Sequence, residues 1–185
     1  MSNVIDFVLD YEFDRQWSDK FVPEVCKIVG PLALQPARYE RDVKEASDLT
    51  GIKGRDIAVA ARIRRHGYAV RYPRQFTIRC DRPSGTKTEL RKICDGFADW
   101  FFYGHASKDE KTITDWMLID LHRLRAAFIY FPCLLRNPQE PACGTGKNKD
   151  GIQFRWFDPL YMPREVRDMV IATTWDMSDL KAAAD

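Results

Sequence analysis

Hydrophobic and polar positions along this chain change period several times, and each change predicts an element. The run IAVAARI (57–63) alternates and is rich in branched side chains. QFTIRC (75–80) sets Phe76, Ile78 and Cys80 against Thr77 and Arg79, the period of two expected of a strand with one wet face. DWFFYG (99–104) and ITDWMLIDL (113–121) are apolar enough to read as more deeply buried strands.

Helical spacing dominates elsewhere. Trp17 and Phe21, like Asp10 and Asp14, are four apart, which predicts a helix packed onto the domain, and Pro31 and Pro36 are expected to end it. In RYERDVKEASD (38–48), Tyr39, Val43 and Ala46 share one face of a short helix. Thr86 or Thr88 caps a helix through Leu90, Ile93 and Cys94, with Glu89 in its first turn and Gly96 after its end. Residues 123–135 and 164–172 read as further helices, YAVRY (68–72) as a turn or short strand, and 136–151 as a loop. Within that loop ACGTGKNKDG lacks the first Gly and the Ser or Thr of a phosphate-binding P-loop, so it is not read as one.

Together these elements predict an α+β (or α/β) fold: a mixed central sheet flanked by helices. The expected organisation is an acidic and aromatic extension over residues 1–36, a core over 37–135, and a loop with a helical extension over 136–185.

Composition narrows the class. With 45% hydrophobic and 12% aromatic residues, 185 residues suffice for one sizeable core, which excludes a wholly disordered chain. The acidic start MSNVIDFVLDYEFD and the absence of any apolar run near about 18 residues lead us to expect a soluble, cytoplasmic protein with no membrane partner. Five cysteines without a C-x-x-C pair or a histidine at ligand spacing speak against structural zinc; Cys80, Cys94 and Cys133 are expected as buried thiols.

Charge is more telling in its distribution than in its total of +2. Residues 62–92 hold ten basic side chains, eight of them Arg, against Asp81 and Glu89; that +8 leaves −6 for the rest of the chain. Such a centre suits a polyanion, because the guanidinium fork matches phosphate geometry. Arg62 and Arg64 share one strand face, as do Thr77 and Arg79. If the two strands pair, these side chains and Arg82 form a basic nucleic-acid-binding surface flanked by Tyr68, Tyr72 and Phe76. The competing expectation is that the protein's own acids answer these charges.

The order of helix 38–48, the strands IAVAARI and QFTIRC, the helix after Thr88 and the strand DWFFYG resembles the αβββαβ core of the restriction-endonuclease-like superfamily over residues 38–121. That resemblance implies a nuclease site in which a strand Asp and a D/E-x-K motif converge on Mg²⁺. Where the acid and lysine would stand this chain has Arg62 and Arg64, after Ala60, so Mg²⁺ ligands would have to come from Asp48, Glu89, Asp99 and Asp120. Asp120 and His122, two apart and expected on one strand face, join Asp99 as candidate catalytic groups. They read equally as polar anchors that accept from Arg79, Arg123 or backbone amides.

Two functions are therefore expected. One is a small nucleic-acid-binding protein with a restriction-endonuclease-like core, extending to a degenerate or metal-dependent nuclease. The other is a non-catalytic interaction or inhibitor protein, of the compact kind phages and mobile elements encode, that docks onto a host protein or protein–nucleic-acid complex. Trp17, Tyr11, Trp156 and Trp175 would then be its anchors.

Overall fold

The computed structural model describes residue 13 and residues 16–36, 49–51, 57–136 and 140–175. The helix expected over 38–48, with Asp48, and the residues Asp10, Tyr11 and Asp14 lie outside these.

The chain forms the α+β fold that its pattern predicts, built on two principal sheets. Strands β3 (Val59–Arg64), β5 (Trp100–Ala106), β6 (Ile113–Asp120) and β9 (Val170–Thr173) make a four-stranded mixed sheet in the order β3-β5-β6-β9. Only the β3/β5 pair is parallel. Strands β4 (Phe76–Asp81), β8 (Gln153–Phe157) and β7 (Cys143–Lys147) make a three-stranded antiparallel sheet in the order β4-β8-β7. A short antiparallel pair, β1 (Leu34–Pro36) and β2 (Leu49–Gly51), stands apart.

Helix α1 (Val22–Ala33) covers one face of the mixed sheet, burying Phe21, Val25 and Val29 against Ile63, Phe102 and Leu118. Each such side chain removed from water contributes about 1.5–3 kcal/mol. The opposite face meets the second sheet and helix α4 (Leu121–Tyr130), with Phe101, Tyr103, Met117 and Ile119 packed among Phe76, Ile78, Phe157, Leu124 and Phe128. A strand covered on both faces has no wet side, and β5 is accordingly buried from Phe101 to Ala106.

Several expectations need correction. The β3 and β4 segments, expected as neighbours, lie in different sheets: after β3 the chain passes through helix α2 (Tyr68–Arg71) into β4, and helix α3 (Glu89–Cys94) returns it to β5. Of YAVRY, expected as a turn or short strand, Tyr68–Arg71 form one turn of helix and Tyr72 its C-cap. Pro31 lies inside α1 without ending it. The apolar segment expected as one helix over 123–135 starts earlier, at Leu121, and divides into α4 and helix α5 (Cys133–Arg136). Residues 136–151 are not all loop, because β7 falls among them, and the helix expected over 164–172 stops as α6 (Arg164–Arg167) before β9 begins. Consequently residues 143–173 are no appendage: they complete both sheets. Of the cysteines it is Cys143 that is buried, whereas Cys94 is exposed and Cys80 and Cys133 are half-buried.

Candidate nucleic-acid interface

Two depressions adjoin where the ends of β3 and β4 approach. The first, a cleft of about 470 Å³, is lined by Arg62, Arg64, Arg65 and Arg79, with Glu89 and the N-terminal Trp17 at its sides. The second, a groove of about 420 Å³, is lined by Arg64, Arg71 and Lys147, by Tyr68, Tyr72, Tyr103, Phe154 and Trp156, and by no acid among the described residues. Arg64 and Tyr68 belong to both, so the two form one continuous surface.

The arginines of this surface are not equivalent. Arg62 is turned inward: its Nη2 lies 2.6 Å from Glu89 Oε2, and its Nη1 donates to the Thr77 carbonyl at 3.1 Å. Burial pushes the guanidinium down to about 10, Glu89 opposing that effect and Arg79 and Arg64 reinforcing it. Glu89 Oε2 also accepts the Arg79 backbone amide at 3.0 Å, which pins α3 to β4. Arg62 was expected to meet external phosphate; it is instead held by the protein's own carboxylate. Thr77, the expected neighbour in the binding face, is likewise occupied, its hydroxyl 3.3 Å from the Tyr103 hydroxyl.

Arg64 and Arg79 line the cleft, and among the described residues neither pairs with a carboxylate. The Arg64 guanidinium sits 4.5 Å over the Tyr68 ring, and Arg71 sits 5.2 Å over Tyr72. Stacking holds a guanidinium in place while leaving N–H groups at its edge free to donate. Arg82 departs from expectation: it lies in the loop after β4, with Nη1 3.4 Å from Thr86 Oγ1, and lines neither depression. Phe76, expected at the rim, is wholly buried.

Sequence reasoning missed the floor of the groove. On β8, Phe154 and Trp156 are two apart and share a face, and the register sets Trp156 opposite Gly144 and Phe154 opposite Gly146. A Cβ on Gly144 would come within 2.5 Å of the Trp156 ring, and one on Gly146 within 2.4 Å of the Phe154 ring. Both rings therefore lie directly on the β7 backbone. The legible signal was a pair of period-two strings, CGTGK and QFRWF, in which alternate glycines match alternate aromatics.

The expected catalytic residues are placed elsewhere and do other work. The strand ends at Asp120, which caps α4: its Oδ1 accepts the amides of His122 (2.8 Å) and Arg123 (3.1 Å). Asp120 and His122 thus do not share a strand face. Asp99 precedes β5, where Oδ2 accepts the Ala58 amide at 3.0 Å and Oδ1 lies 3.0 Å from His122 Nε2. Arg125 Nη2 donates to His122 Nδ1 at 2.9 Å, which leaves Nε2–H to donate to Asp99.

A Mg²⁺ site was expected from Asp48, Glu89, Asp99 and Asp120. Asp48 lies outside the described residues, and the other three acids are committed to Arg62, to Ala58 with His122, and to a helix cap. Among the described residues no three His, Cys, Asp or Glu side chains gather as metal ligands. Glu89, Asp99 and Asp120, as placed here, do not converge as a magnesium centre.

No family model matches this chain, and no curated protein or solved structure matches it either. Among the described residues no helix is long and apolar enough to cross a membrane.

Proposed function

We propose that this protein binds nucleic acid along the joined cleft and groove. The observation that carries the reading is the meeting, on one surface, of arginines that pair with no carboxylate among the described residues and the rings of exposed Tyr68 and Tyr72 and half-buried Phe154 and Trp156. Arg64 and Arg79 line the arginine cleft without carboxylate partners among the described residues, and that cleft opens through Arg64 into a groove that the described residues line with five aromatic side chains and no acid. Phosphates release condensed counterions when they meet such cations, and bases present π faces to the rings. A small acidic ligand would need the cations but not the rings; an apolar ligand would need the rings but not the cations.

The reading stops at binding. Resemblance to the restriction-endonuclease-like superfamily rests on element order, and of the acids a nuclease would need, Glu89 is held in an ion pair, Asp99 by hydrogen bonds and Asp120 in a helix cap.

Fluorescence anisotropy with labelled DNA and RNA oligonucleotides at two salt concentrations tests it. Affinity should fall steeply as salt rises. Absence of binding at low salt, or binding indifferent to salt, would discard the proposal.

A further inference from the structure

Resting on the reading above, we infer that the bound form is single-stranded, with bases lying on Trp156 and Phe154 and phosphates held by Arg64, Arg71 and Lys147. The two rings stand on one strand two residues apart, hence about 6.8 Å from each other along β8. Each is backed by a glycine of β7, the approach being too close for any side chain there. A ring supported by backbone is a rigid platform, and both rings line the groove.

Such a platform is idle against a duplex. Paired bases are stacked on one another at about 3.4 Å and show a protein only their edges and the phosphates outside them. An extended single strand separates its bases further and offers their faces, which aromatic side chains take up without regard to sequence. The cations complete the fit. Arg64 and Arg71 are held on Tyr68 and Tyr72 at the wall of the groove, and Lys147 lies on the strand that carries the two glycines. The volume of about 420 Å³ is that of a small-ligand pocket, suited to a nucleotide or two rather than to the width of a double helix.

The test uses the full chain and three labelled probes of about 15 residues each: a thymidine homopolymer, a uridine homopolymer, and a DNA duplex. Both single strands should bind at least about tenfold more tightly than the duplex, and comparison of the two separates DNA from RNA. Trp156→Leu should weaken single-strand binding by roughly 5- to 150-fold, the worth of one stacked base, while duplex binding changes less than about twofold. Because that variant disturbs a half-buried ring, photocrosslinking of a bromodeoxyuridine strand to the unaltered chain decides the point independently. Adducts should map to residues 154–156. Duplex binding as tight as single-strand binding, or adducts confined to residues outside the groove, overturns the inference and leaves the nucleic-acid reading standing. Failure of all three probes to bind overturns both.

Discussion

Arg62 Nη2 lies 2.6 Å from Glu89 Oε2, and this contact separates Arg62, which holds the fold, from Arg64 and Arg79, which line the same cleft without a carboxylate partner among the described residues. The Arg62 side chain is 10% exposed and that of Glu89 24%, so removing either partner strands a charge in a poorly hydrated place. Arg62→Ala or Glu89→Ala should each cost roughly 2–4 kcal/mol, somewhat below a fully buried pair because Glu89 keeps some solvent. A double-mutant cycle by urea denaturation checks this; additive losses would show that the pair is not coupled.

Arg64 and Arg79 should behave differently. Alanine at either position is expected to leave the unfolding midpoint nearly unchanged, to weaken nucleic-acid binding, and to lower the slope of log affinity against log salt by about 1. Arg82→Ala, outside both depressions, should change neither quantity. Anisotropy titrations at several salt concentrations separate the three variants.

Gly144→Ala tests the floor of the groove. Its Cβ would sit 2.5 Å from the Trp156 ring, so the ring must leave the β7 backbone. Overpacking of this kind costs about 1–3 kcal/mol, or a melting temperature lower by some 2–12 °C in a chain of this size. Calorimetry should show that loss, and an unchanged melting temperature would mean that the ring does not rest there.

His105 makes stability depend on pH. It is 3% exposed, its Nδ1 has no hydrogen-bond partner among the described residues, and burial holds its pKa below the ordinary value near 6.5; Asp115 opposes that lowering and Arg64 adds to it. The folded state therefore favours neutral imidazole. Above about pH 6.5 neither state is protonated and the stability is complete; as pH falls through that value the unfolded chain takes up a proton that the folded chain resists, and stability declines. Urea midpoints measured from about pH 7 to about pH 5.5 should fall in the native chain and fall less in His105→Gln.

Asp120 separates a cap from a catalyst. Asn caps a helix about as well as Asp, so Asp120→Asn should be nearly neutral, whereas Asp120→Ala should cost about 1 kcal/mol. If the protein nicked DNA with Mg²⁺ and Asp120→Asn abolished that activity, the capping role would not be the whole account.

Period and capping chemistry made much of the architecture legible in advance. Strands at β3, β4, β5 and β6 follow from alternation or from unbroken apolar runs, and Thr88 accepts the Arg91 amide as the cap of α3. These are local properties, set by neighbours along the chain. The candidate site was legible only as a basic centre, because a charge tally records how many arginines there are and not which of them meets a carboxylate.

What this sequence determined by itself was the α+β class, the position of most core strands and the concentration of arginine between residues 62 and 92. Only the tertiary structure decided that β3 and β4 belong to different sheets, that Glu89 claims Arg62, and that residues 143–157 bring two aromatic rings onto two glycines beside Arg64. The reason is physical: side-chain periodicity is written over a few residues, whereas strand partners and charge partners are chosen by packing between segments far apart in sequence.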